Sequence, residues 1–377
     1  MTYFDHNATT PLSPAAREVW LAAAEQFPAN PSSPHRLGAR AETALSEARE
    51  KLARMLGCEP FDLIWTSGAT ESNNTVLHHY TRTRPDLKEV WVSAIEHPCV
   101  LIPAQHYFKS KLRRIPVSHD GVVDLNWIEK QLSKRRPALI VVMAANNETG
   151  VIQPWQAVLQ LCREWEVAFF CDAAQWIGKM PARGIGQCDW VSGCAHKFGG
   201  PKGVGFLKCP SKGAVLPLIF GGEQESGRRS GTENVAGVMA MIAALEESQA
   251  LLSKDALAER NSWRTRFETH LPKRLPGCSI VGATQPRLWN TVAALMPQAD
   301  CQQRWVVKLD KAGFAVSTGS ACASGKEKPS HVLSAMGFAA EESSRMLRFS
   351  SGWQTRSGEW DALGDAILQV QAEMAAG

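Results

Sequence analysis

Short apolar runs, each closed at once by polar residues, recur along the first half of the chain. Residues 61–66 end in Ser67-Gly68, 89–95 in Glu96-His97, 138–144 in Asn146-Asn147, 167–171 in Asp172, and 190–194 in His196-Lys197. Residues 203–209 follow as a further strand. Runs of this kind, apolar almost throughout, are what strands buried on both faces of a parallel sheet look like. Between them lie stretches with helical spacing, such as 39–55, with Gly57 as its stop, and 155–165. The alternation predicts an α/β domain with a mostly parallel sheet over residues 15–250. In open α/β sheets the ligand site lies beyond the carboxyl ends of the strands. The polar strand ends therefore predict one converging site.

Past residue 250 the pattern changes. Residues 251–271 read as one long helix, shorter strands and helices follow, and 361–374 close the chain as a helix with Asp361 as a first-turn acid. We expect residues 1–14 and 251–377 to form a second, smaller α+β domain. The 377 residues are enough for two such cores.

Composition narrows the function by exclusion. Hydrophobic residues make up 44% and charged residues 21%, the profile of a soluble globular protein. The balance of 41 Lys and Arg against 37 Asp and Glu argues for no nucleic acid and no anionic membrane. The first residues carry no basic segment followed by an apolar one, so a signal peptide is not expected and a cytoplasmic protein is. The ten cysteines include no C-x-x-C pair and no cluster with histidine, so reduced thiols are expected, without disulfide framework or zinc.

Four stretches carry candidate chemistry. Ser67-Gly68-Ala69-Thr70 lies between a strand and a helix, where small residues let backbone N–H groups approach a phosphate. Without a ligand it is simply a strand–turn–helix. Asp172 at a strand end reads as a helix cap, a metal ligand or the partner of a buried cation, and Gln175 follows three residues on. Lys197 lies beside His196 in a glycine-rich turn between two strands, so it is held inside the fold, where a lysine has a lowered pKa and forms imines readily. Cys322 is centred in Ser317-Thr318-Gly319-Ser320-Ala321-Cys322-Ala323-Ser324-Gly325, a composition that predicts an exposed, mobile loop. It is the one thiol whose context suggests reactivity; the plainer reading is a spare surface cysteine.

Taken in order, these stretches resemble the NifS/IscS group of cysteine desulfurases, in the class V aminotransferase family of fold-type I pyridoxal 5'-phosphate (PLP) enzymes. The resemblance runs from Asp5-His6-Asn7-Ala8-Thr9-Thr10-Pro11 to Arg348-Phe349-Ser350. It passes through Asn30-Pro31-Ser32-Ser33, Glu96-His97, Asn146-Asn147-Glu148-Thr149-Gly150, Asp172-Ala173-Ala174-Gln175, His196-Lys197 and Arg229-Ser230-Gly231-Thr232. It implies that Lys197 carries PLP as an imine, Asp172 binds the pyridine nitrogen, Gln175 the ring hydroxyl, and His97 stacks on the ring and moves protons. Thr70, Ser192 and His196 would contact the phosphate, and Thr232 the phosphate of a neighbouring subunit, hence a homodimer. Asn147 and Arg348 would hold the carboxylate of L-cysteine, with Asn30 nearby, and Cys322 would take the sulfur as a persulfide.

Two departures from the family pattern stand out. Cys194 occupies a position where serine is usual. The chain also ends soon after its last helix, without the tail by which housekeeping members dock an iron–sulfur scaffold. The expected acceptor is such a scaffold or a tRNA-thiolation or DNA-phosphorothioation protein. The rivals are a selenocysteine lyase, another class V PLP enzyme and a non-catalytic relative. The last should have lost Lys197 or Asp172. A dinucleotide-binding protein would need a glycine fingerprint that is absent.

Overall fold

The computed structural model describes residues 1–83, 89–211, 215–298, 302–319 and 329–376. Its strands are β1 (Thr2–Tyr3), β2 (Leu63–Thr66), β3 (Val90–Ser93), β4 (Leu112–Ile115), β5 (Leu139–Val141), β6 (Ala168–Asp172), β7 (Trp190–Cys194), β8 (Gly205–Lys208), β9 (Ser279–Ile280), β10 (Thr291–Leu295), β11 (Phe314–Ala315) and β12 (Met346–Ser350). Seven of them form one sheet in the order β2-β8-β7-β6-β5-β3-β4. All its neighbours run parallel except at β8, which is antiparallel to both β2 and β7. That reversal follows from the short turn through Lys197, which leads the chain straight back along the sheet.

Side chains alternate between two apolar layers, as the strand period requires. Leu63, Trp65 and Trp91 enter the core on one face, and Ile64, Val90 and Val92 the core on the other. The edge strand β4 was not among the expected strands. Its Leu-Arg-Arg-Ile sequence buries only Ile115 fully, so its apolar signal is too short to see.

A second sheet, β12-β10-β9, is antiparallel, and β1 pairs in parallel with β11. Phe4, Phe267, Trp305, Phe349 and Trp360 share the core beside it, which ties the N-terminus to the C-terminal third. Helix Arg36–Leu56 stops at Gly57, whose φ of 77° is the left-handed cap that glycine adopts without strain. The helix expected at 251–271 is Lys254–Arg274. Ser253 caps it by accepting the Ala256 N–H at 3.0 Å, so the three residues before it belong to a turn. The last helix is Ser357–Ala376, longer at its start than expected. Its first-turn acid is therefore Glu359, while Asp361 pairs with Arg266 at 2.8 Å. Among the described residues, no single helix is long and apolar enough to cross a membrane.

Candidate active site

The strand ends named above meet around a cavity of about 460 Å³. Ser67, Gly68 and Thr70 come from the turn after β2, His97 from the end of β3, Asn147 from beyond β5, Asp172 and Gln175 from β6, and Cys194, His196 and Lys197 from β7. The convergence is a property of the parallel sheet, whose strands all release their chains at the same edge.

Each side chain is held by identifiable contacts. Helix Ala69–Thr83 starts on the cavity, and its first turn sits directly on β8 because residue 205 is glycine. A Cβ there would come within 2.6 Å of the Gly68 Cα. The Asp172 carboxylate accepts from Asn73 Nδ2 at 2.8 Å and from the Ala174 N–H at 2.9 Å. His97 caps helix Pro98–Phe108: its Nδ1 accepts the Cys99 N–H at 3.2 Å, with the Cys99 sulfur 2.9 Å away. A ring nitrogen that accepts carries no proton, so neutral His97 holds its proton on Nε2. Burial lowers the pKa of His97, with the Asp172 charge working against it and Lys197 adding to it. Burial also pushes His196 down to about 4, assisted by Lys197, so this ring is neutral at pH 7. Its Nδ1 lies 3.3 Å from Thr9 Oγ1. Lys197 Nζ donates to the carbonyls of Asn7 at 2.6 Å and Ala8 at 2.8 Å.

Several expected site residues lie apart from the cavity lining. Ser192 is fully buried in β7, its Oγ has no hydrogen-bond partner among the described residues, and it is absent from the lining. Two residues of strand put it about 6.6 Å back from Cys194 along the chain. The thiol of Cys194, not the hydroxyl of Ser192, therefore meets the cavity. Burial pushes the Cys194 thiol up to about 11, against the pull of Lys197. Arg348 is 2% exposed and lies behind Asn147: its Nη1 donates to the Asn147 carbonyl at 3.0 Å and its Nη2 to Asp5 Oδ1 at 2.6 Å. Asn30 is exposed, and its Oδ1 accepts the Ser32 N–H at 2.9 Å within its own turn. Thr232 is exposed and lines a separate cleft with Arg229 and Glu233. Cys322 lies outside the described residues.

Three residues with no assigned role turn out to hold the site together. Asn73 grips Asp172, Cys99 fixes His97, and Asn7 supplies the carbonyl for Lys197. Helical spacing from the Ser67-Gly68 turn could have pointed to Asn73. Asn7 stands in the first of the matching blocks, but its partners are distant in sequence and no local feature assigns it this role.

The donor set fits PLP. A lysine amine, a carboxylate gripped from two sides, an imidazole and a helix N-terminus face one cavity, and Asn147 Oδ1 is buried there without a partner among the described residues. Such a site on a mostly parallel α/β sheet defines a fold-type I PLP-dependent transferase.

Comparison with known proteins narrows the class. The family profile "Aminotransferase class-V" matches residues 2–363. A cysteine desulfurase of Klebsiella pneumoniae is 38% identical over 363 residues, covering 95% of this chain and 90% of its own. The cysteine desulfurase IscS of Dictyoglomus turgidum is 37% identical over 377 residues, covering 98% and 94%. The solved structure of a NifS-like protein superposes with a TM-score of 0.89 at 32% identity, covering 99% of each chain. The chain belongs to the class V aminotransferase family, and within it to the NifS/IscS-like cysteine desulfurases.

Proposed function

We propose that this enzyme binds PLP through Lys197, takes the sulfur of L-cysteine onto Cys322 as a persulfide, and releases L-alanine. The observation that carries this reading is the meeting of Lys197, Asp172, Gln175 and His97 in one cavity. When bound, the cofactor supplies an electron sink for the substrate α-carbon. Asp172 would hold the pyridine nitrogen, Gln175 the ring hydroxyl, and Thr70 with His196 and the N–H groups of the helix start the phosphate. Asn147 would bind the substrate carboxylate, backed by Arg348. Lys197 Nζ would take the proton from the α-carbon, and His97 Nε2–H would serve as the donor facing the cavity. The Cys322 thiolate would attack the substrate sulfur. An S–S bond then forms and the Cβ–S bond breaks; the β-carbon keeps the electron pair and takes up a proton, and the α-carbon regains the proton it lost, which gives alanine.

We further propose a cytoplasmic homodimer in which Thr232 reaches the partner's phosphate, with residues 15–250 and residues 1–14 plus 251–377 as the two domains. The sulfur would pass to an acceptor protein, such as an iron–sulfur scaffold or a tRNA-thiolation or DNA-phosphorothioation protein.

The test is to incubate the holoenzyme with L-cysteine and a reductant and to quantify both products. Equal amounts of sulfide and alanine are expected. A holoenzyme that turns over selenocysteine but forms no alanine from cysteine overturns the substrate assignment. Cys194 gives a second expectation. A neutral thiol donates poorly compared with a hydroxyl, and one added hydrogen bond to a charged group contributes about 1.5 kcal/mol or more. Cys194→Ser should therefore lower the Kd for PLP by about tenfold, measured by fluorescence titration of the apoenzyme.

A further inference from the structure

Behind the proposed catalytic lysine lies a second one that the mechanism does not use. Lys179 is 4% exposed, and its pKa is driven well below the ordinary lysine value by burial, with the charges of Lys197 and Arg348 adding to the effect. Its Nζ donates to Asn7 Oδ1 at 2.8 Å and to Gln175 Oε1. We propose that Lys179 is a positioning residue for the cofactor: it locks the Gln175 amide with its nitrogen toward the cavity, so that the ring oxygen meets an N–H donor. The proposal rests on the reading that Lys197 carries PLP.

The orientation of both amides is forced by groups that can play only one role. Asn7 Nδ2 lies 3.2 Å from the Asn147 carbonyl, which only accepts, so Asn7 Oδ1 must face Lys179. The Asn7 carbonyl likewise accepts from Gln175 Nε2 at 3.0 Å, so Gln175 Oε1 must face Lys179. Lys179 donates to both oxygens whether its amine is charged or neutral. An amide nitrogen has two N–H groups. One is spent on Asn7, and Gln175 lines the cavity, so the other is available there. The same Asn7 carbonyl accepts from Lys197 Nζ. One asparagine thus sets the amide and the catalytic amine in a common frame. Asn7 itself is fixed by Asn290 Nδ2 at 3.1 Å and Thr291 Oγ1 at 2.9 Å. The titratable groups around Lys179 are Lys197, Arg348, Cys194, His6 and His196. Both histidines are pushed down to about 4, so neither changes charge near neutrality.

An N–H donor at the ring oxygen favours its anionic form. Without that donor, the unit formed by the ring oxygen and the linked nitrogen keeps its proton to higher pH. The experiment is a pH titration of the visible absorption band of the holoenzyme. Lys179→Met, close in volume but unable to donate, should raise the midpoint by about one unit, an effect that loss of a purely structural contact would not produce. Gln175→Glu keeps an oxygen for Lys179 but removes the N–H, and should raise the midpoint in the same direction even if Lys179→Met fails to fold. A midpoint within about 0.3 unit of wild type in either folded variant overturns the proposal. A wild-type protein that takes up no PLP at all overturns the cofactor reading, and this inference with it.

Discussion

Lys197→Ala should abolish the visible band of the bound cofactor and lower alanine formation from L-cysteine by at least about 10³-fold. The turn between β7 and β8 delivers this amine to the cavity, and the carbonyls of Asn7 and Ala8 hold it there by two hydrogen bonds. Among the described residues, no other lysine is placed to replace it. Lys179 is enclosed and committed to Asn7 and Gln175, and Lys202 sits exposed at the rim of the cavity. Lys197 is itself only half-buried, in a turn stabilised by backbone bonds such as Phe198 N–H to the Ala195 carbonyl at 3.1 Å. Truncation should therefore leave the fold intact, which circular dichroism checks. Lys202→Ala is the companion variant, and it should keep the covalent linkage, as borohydride reduction and peptide mapping would show. A Lys197→Ala protein that still forms alanine within tenfold of wild type would remove this lysine from the mechanism.

How much of this was legible in the sequence depends on the range of the interaction concerned. Strand runs and the polar residues closing them are local signals, set by burial on two faces and by chain exit at one edge. Lys197, Asp172, His97 and Asn147 could be read for that reason, and all four line the cavity. Ser192 and Cys194 point to the same side of one strand, and periodicity alone cannot say which of two such residues reaches the edge. Of the two, Cys194 is the one that lines the cavity. The role of Asn7 depends on partners far along the chain, and that of Lys179 on the same Asn7 as well as on Gln175 four residues back. A buried lysine beside Gly178 carries no local mark that separates it from a solvated one. Arg348 was read as a substrate ligand from its place in a motif. Its packing against Asp5 and the Asn147 carbonyl, behind the cavity wall, could be seen only once β12 was laid beside β10.

Cys322→Ala should lower sulfide release from L-cysteine by at least about 10³-fold, the size of loss that follows removal of a nucleophile. Among the described residues, Cys99 and Cys194 are the cysteines that line the cavity, and burial holds both as neutral thiols. The thiolate is the nucleophile, so neither is suited to attack sulfur. The described residues on either side of residues 320–328 are tied to the segment that carries Asn147. Arg348 exchanges backbone bonds with Ser317 at 3.2 and 2.7 Å, and its Nη1 donates to the Gly319 carbonyl at 3.3 Å and to that of Asn147 at 3.0 Å. On the far side, Ser330 Oγ donates to Glu148 Oε2 at 2.5 Å, next to Asn147. The decisive measurement is to give the wild-type holoenzyme one equivalent of L-cysteine, alkylate, and locate the added sulfur by peptide mass. Sulfur on the peptide containing Cys322, and on no peptide of the Cys322→Ala variant, is the expected pattern. Sulfur found on Cys99 or Cys194 would mean that a buried thiol is deprotonated during turnover, and it would transfer the persulfide role to that residue.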